Sequence, residues 1–212
     1  MNAHASTADA AAVPSAVARA GDGGPAPVRI VVSYGFWIFL LSDIIMFSAL
    51  FATYAVLSAQ TAGGPGGRDL FHLRNVGVET LCLLFSSYTC GLGSLFIERR
   101  RLHSFFLFFA VTFVLGATFV ALELNEFAGM VSRGAGPSRS AFLSAFFALV
   151  GLHGTHVTVG LLWLIFTAAQ VRVRGLRDFV LRRVRCFSLF WHALDIIWVA
   201  LMSLVYLMGT RA

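Results

Sequence analysis

The chain has 212 residues, of which 58% are hydrophobic and 12% charged, and its mean hydropathy is +0.81. Soluble domains carry roughly 25% charged residues, so this composition excludes an ordinary soluble globule, a disordered chain and a disulfide scaffold, and points to an integral membrane protein. The net charge is +6 and every basic residue is an arginine. Because the arginines lie mostly between apolar runs, they read as orientation signals in a membrane and give no nucleic-acid footprint.

Residues 1–33 are rich in Ala, Gly, Pro and Ser, without the leucine-rich core of a cleaved signal, and are expected to be a flexible cytoplasmic tail. Residues 34–212 are expected to form one transmembrane domain. A spanning helix needs about 20 apolar residues, and five runs reach or approach that length: Tyr34–Leu57, Val76–Ile97, Ser104–Leu122, Ser140–Gln170 and Cys186–Met208. The runs are too long and too unalternated for strands. The predicted fold is therefore all-α, a bundle of five transmembrane helices.

The connections are short. Ser58–Asn75 contains Gly63-Gly64-Pro65-Gly66-Gly67, a turn-rich loop without the lysine of a phosphate-binding loop. Glu98–His103 is a tight basic hairpin, Phe127–Arg139 is broken by Gly and Pro, and Val171–Arg185 is strongly basic. Eleven of the 16 arginines fall on the side of the N-terminal tail and the second and fourth connections. Positive-inside bias then places the N-terminus in the cytoplasm and the C-terminus in the periplasm. Cys82, Cys90 and Cys186 form no Cys-x-x-Cys pair and read as buried thiols.

An ionisable side chain at the centre of a membrane helix costs roughly 2.5–3.5 kcal/mol on insertion scales, so each one needs a reason. The candidates are Asp43, Glu79, Glu123, Glu126, His153, His156, His192 and Asp195. Glu123/Glu126, His153/His156 and His192/Asp195 are spaced i, i+3, which puts each pair on one helical face. Three readings follow from this spacing: an interhelical hydrogen-bond network, a metal centre of the carboxylate–imidazole kind, and a transport pathway. The pattern lacks the Glu-x-x-His motifs of di-iron bundles, which favours the network. Ser144, Ala148, Gly151 and Gly154 allow close backbone approach in the fourth span.

Several strings read together: Gly35-Phe36-Trp37-Ile38 with Ser42-Asp43; Val78-Glu79-Thr80 with Phe85-Ser86-Ser87; Glu123-Leu124-Asn125-Glu126; Gly151-Leu152-His153-Gly154-Thr155-His156-Val157; and Trp191-His192-Ala193-Leu194-Asp195-Ile196-Ile197-Trp198. In this order on successive spans they resemble subunit III of the haem–copper oxidases, over roughly residues 30–212. The five-span length and the Ala62-Gly63-Gly64-Pro65 loop look like the quinol-oxidase branch, the bo-type ubiquinol oxidases.

The resemblance implies an accessory subunit of a proton-pumping terminal oxidase in a bacterial inner membrane. It implies no cofactor and no catalytic residue in this chain, with haem b, haem o and copper in subunit I. It also implies partners in subunits I, II and IV, and bound phospholipid. Asp43, Glu79, Glu123, Glu126, His153, His156, Trp191, His192 and Asp195 would then serve a polar network or lipid contacts. Asp195 is expected to accept hydrogen bonds from His192 or from a histidine of the fourth span. His72 stands where many relatives carry a carboxylate. The competing expectations are subunit III of a cytochrome c-type oxidase and a membrane di-metal enzyme built from the three spaced pairs.

Overall fold

A computed structural model describes residues 28–63 and 73–207. Most of the expected tail, His72 and the far end of the chain lie outside the described residues. Five helices carry the structure: α1 (Val28–Leu57), α2 (Leu73–Glu98), α3 (Leu102–Ser132), α4 (Ala141–Arg174) and α5 (Asp178–Leu201), the last continued by a π-helical turn, Met202–Leu207. All five are long and apolar enough to cross a membrane. At 1.5 Å per residue they measure about 36–51 Å, more than the roughly 30 Å of a hydrocarbon core.

The boundaries differ from the sequence expectation by more than three residues at four places. The first helix begins six residues earlier, at Val28, because Val28 and Ile30–Val32 are apolar, Arg29 is a good helix former, and no Pro or Gly breaks the helix before Tyr34. The third runs on through Ser132, so Glu123 and Glu126 lie inside it and do not close it. Phe127 and Met130 continue its buried stripe past the carboxylates. The basic fourth connection is mostly helix: Arg172 and Arg174 occupy the last turn of α4, and Arg182, Arg183 and Arg185 the first turns of α5. Arginine permits this because its stem lies along apolar surface while its head reaches water.

Local chemistry sets the ends. Ser140 caps α4, its hydroxyl accepting from the Leu143 N–H at 3.2 Å. Gly175 closes α4 at φ 67°, a left-handed conformation open to glycine without a Cβ penalty. At the arginine-rich end, Arg185 Nε donates to Glu98 Oε1 at 3.1 Å and Arg183 Nη1 donates to Gln170 Oε1 at 2.6 Å. Both bonds are exposed, so they add little stability.

Helices α2, α3, α4 and α5 pack in a ring, each against the next, and α1 lies outside it against α4 and α5. The spans α2 to α5 are more buried than α1. Buried positions follow helical stripes: on α2 they are Val76, Glu79, Leu83, Ser86, Ser87, Cys90, Gly93 and Ile97, and on α3 Phe105, Phe109, Thr112, Gly116, Phe119, Glu123 and Met130. Large rings fill the centre, and small residues make room for them. Trp191 of α5 enters a slot between Gly116 of α3 and Gly160 of α4, where an added Cβ would meet its ring at 2.9 Å and 3.0 Å. The three cysteines are free, Cys90 fully buried and the other two partly so.

Overpacking a filled site costs about 1–3 kcal/mol. Gly116→Leu should destabilise the bundle by that amount, read as a lower midpoint of thermal unfolding in detergent. Gly77→Leu adds its side chain where a Cβ meets nothing within 4 Å, and it should leave the midpoint unchanged.

Candidate functional site

The buried stripes carry the ionisable residues into three separate places. The first is the seam between α2 and α5. These helices run antiparallel, so residues spaced along one meet residues spaced along the other in reverse order. Trp191 Nε1 donates to Ser86 Oγ at 3.0 Å, the Ser87 hydroxyl meets His192 Nδ1 at 2.7 Å, and Trp198 Nε1 donates to Thr80 Oγ1 at 3.1 Å. Ser86 and Thr80 in turn donate to the carbonyls of Leu83 and Val76. The Trp-His-x-x-Asp-x-x-Trp string is thus the α5 half of a ladder, and hydroxyls of α2 are the other half. Asp195 lies one turn beyond His192 and interacts with it electrostatically, and its Oδ1 is buried without a hydrogen-bond partner. His192 thus takes a serine of α2 as its hydrogen-bond partner.

The second place is the fourth span. His153 and His156 are three residues apart yet point into different surroundings. His153 is 0% exposed, and neither ring nitrogen has a hydrogen-bond partner. It is boxed by aromatic rings: Trp198 at 5.2 Å, Phe119 at 5.9 Å and Phe47 at 6.3 Å between centroids. His156 turns toward α1. Its Nδ1 lies 2.8 Å from the Leu152 carbonyl oxygen. A carbonyl only accepts, so Nδ1 carries the proton. Phe47 packs edge-on against this ring at 5.4 Å, and Asp43 of α1 lies within its electrostatic reach.

The third place is the arginine-poor end of the ring. Glu79 of α2 and Glu123 of α3 are 1% and 4% exposed. With Glu126 they form a group of carboxyls that act electrostatically on one another and on Tyr206. The Glu123 carboxylate lies directly on the backbone of Gly154, where any side chain would collide with it. The glycine between the two histidines of α4 is therefore the seat of an α3 acid.

The three spaced pairs do not converge on a common point. Among the described residues no group of three or more His, Cys, Asp or Glu is placed to hold a metal ion. The di-metal expectation needs all three pairs around one centre, and here one faces α2, one is divided between an aromatic box and α1, and one joins Glu79. Sequence reasoning singled out Trp191 and His192 but missed the hydroxyls of α2 that pair with them and with Trp198. Thr80, Ser86 and Ser87 are common residue types in membrane helices. Their signal was position: Ser86 and Ser87 share the stripe of Glu79, Leu83 and Cys90.

Two substitutions separate these environments. His153→Phe removes two unpartnered polar atoms and keeps the ring packing, so stability should stay level or rise by about 1 kcal/mol. His192→Phe strips Ser87 of its partner in a dry seam and should cost about 1–2 kcal/mol. Unfolding midpoints of the two variants in the same detergent check this, and the reverse order would contradict it.

The sequence profile of the cytochrome c oxidase subunit III family matches residues 20–210. The chain is 51% identical to "Cytochrome bo(3) ubiquinol oxidase subunit 3" of Pseudomonas aeruginosa over 176 residues, 83% of this chain and 84% of that protein. It is 49% identical to the protein of the same name from Pseudomonas putida over 82% of this chain and 84% of that one. It is 45% identical to "Quinol oxidase subunit 3" of Bacillus subtilis, over 82% of this chain and 86% of that one. With a fold of five membrane-spanning helices and matches along most of its length, the chain belongs to the cytochrome c oxidase subunit III family.

Proposed function

We propose that this chain is subunit III of a quinol oxidase: a non-catalytic subunit that stabilises the oxidase of a bacterial inner membrane. The observation that carries this reading is the 51% identity to a ubiquinol oxidase subunit over most of both chains. The relatives named above are quinol oxidase subunits, which favours the quinol branch over a cytochrome c-type complex. Haem b, haem o and copper then belong to subunit I, and subunits I, II and IV are the partners. The side-chain chemistry is consistent with a mechanical role. His192 is engaged with Ser87, His156 with a carbonyl of its own helix, and His153 with aromatic rings.

Orientation follows from charge. The arginine-rich end, with Arg99–Arg101 and the six arginines between Arg172 and Arg185, faces the cytoplasm, and the arginine-poor end faces the periplasm. Phospholipid binding has a physical basis at the arginine-rich rim. A cavity of about 490 Å³ lies between the start of α1 and α5, lined by Tyr34, Trp37, Arg182, Arg185 and Leu189 among others. Guanidinium groups above an apolar wall, flanked by Trp and Tyr, fit a phosphate headgroup with its acyl chains below.

An affinity tag on this chain should bring down a haem-bearing subunit and ubiquinol-oxidising activity from the native membrane. Purification of the chain alone, without haem, would overturn the reading. Arg182→Ala with Arg185→Ala should weaken lipid retention by about 1 kcal/mol per arginine, read as phospholipid per haem by mass spectrometry after detergent washing, with the haem spectrum unchanged.

A further inference from the structure

The group formed by Glu79, Glu123 and Glu126 has no role in the ladder or the lipid rim, and its hydrogen-bond accounting does not close. Glu79 Oε2 and Glu126 Oε1 are buried and have no partner. Glu79 is 1% exposed, and its carboxyl acts on both Glu123 and Glu126. A carboxylate only accepts hydrogen bonds, so a group of three facing carboxylates is short of donors. The donors at hand are few. From α1, the Tyr54 hydroxyl donates to the Val205 carbonyl. From the π-helical turn, Tyr206 interacts with all three acids. From α2, Cys82 feels Glu79. Just past the end of α3, Arg133 is the cation acting on Glu126, and its Nε is committed to the Gly129 carbonyl. Helix α4 contributes Gly154, which has no side chain to offer. Among the described residues these acids are not part of a group of three or more placed to hold a metal ion.

The cluster also has a way out. A cavity of about 440 Å³ opens beside it at the arginine-poor end, lined by Asn75, Asn125, Glu126, Ser132 and Arg133. Asn75, Asn125, Ser132 and Arg133 are exposed, while Glu126 is only partly so. Glu126 therefore lines the polar notch and also faces Glu79 and Glu123 behind it. Water can occupy such a notch, because polar groups line it and it is many times the volume of one water molecule.

We propose that Glu79, Glu123 and Glu126 form one shared proton-binding site, which exchanges protons with the water at the arginine-poor end through the notch of Asn75, Asn125, Ser132 and Arg133. On uptake, a hydronium ion in the notch gives its proton to a Glu126 oxygen and leaves as water. The bound proton then serves as the donor that the facing carboxylates lack. Release reverses the step, and no oxidant or metal takes part. The site requires the folded bundle and the notch, and it does not depend on which electron donor the assembled oxidase uses.

Infrared difference spectroscopy of the purified complex tests this. At neutral pH, subtracting the spectrum of Glu79→Gln or Glu126→Gln from that of the parent should leave a carboxylic-acid C=O band, and that band should shift in heavy water. Closing the notch with Asn125→Leu plus Ser132→Leu should slow the shift roughly tenfold, since exchange needs solvent access. These two positions are exposed, so the double variant keeps the test alive if Glu79→Gln fails to assemble. Superimposable acid bands in parent and glutamine variants would overturn the proposal. So would an exchange rate indifferent to the closed notch, or a stoichiometric divalent cation that disappears with Glu79→Gln.

Discussion

The ladder between α2 and α5 is the constraint on which the rest of this bundle depends. In a bilayer, lipid tails are as apolar as leucine, so helices gain little by hiding apolar surface from their solvent. Close packing and interhelical hydrogen bonds must hold them. Each such bond averages about 0.6 kcal/mol, so the bonds through Ser86, Ser87 and Thr80 together contribute only about 2 kcal/mol. Their larger effect is on register. Sliding α5 by one residue rotates each donor away from its hydroxyl by about 100°, and every rung is lost at once. Two indoles and one imidazole within eight residues therefore specify where α5 sits against α2.

That register carries demands to other helices. Once Trp191 is fixed by Ser86, its six-membered ring reaches across to α3 and α4, and only glycine at 116 and 160 leaves it room. Trp198, fixed by Thr80, packs edge-on against Phe119 at 4.6 Å and tilted against His153 at 5.2 Å. The aromatic box around His153 is thus a consequence of the ladder. The seat of Glu123 on Gly154, one residue further along α4, follows the same logic of a large group set against a position without a side chain.

The five spans were legible because an apolar run of membrane length has few other meanings, and the candidate residues were legible because an ionisable group inside such a run is conspicuous. Two things were not. The sequence placed Glu123 and Glu126 at a helix end, since Gly129, Gly134 and Pro137 suggest an early break, yet the apolar stripe of Phe127 and Met130 carries α3 past them. The i, i+3 spacing also promised more convergence than it delivers. Residues three apart differ by about 60° around the helix, enough to put His153 on the ring interior and His156 on the α1 side. A helix wedged between two neighbours divides such a pair between them. The hydroxyl partners were hidden for a different reason: Ser and Thr usually bond to their own backbone in membrane helices, as Thr155 and Thr158 do here.

The histidines show how far residue type is from ligand geometry. A metal-bound imidazole usually gives its second N–H to a carbonyl, which orients the ring and frees the other nitrogen. His156 has that arrangement, with Nδ1–H on the Leu152 carbonyl. Its ring faces Phe47 and the side of α1 that bears Asp43. His192 spends Nδ1 on a serine, and His153 lies among aromatic rings with both nitrogens unpartnered. A His-x-x-His followed by a His-x-x-Asp reads as a ligand set only if lone pairs from different helices meet at one point. In this ring Trp198 packs against His153 and Trp191 fills the slot between Gly116 and Gly160.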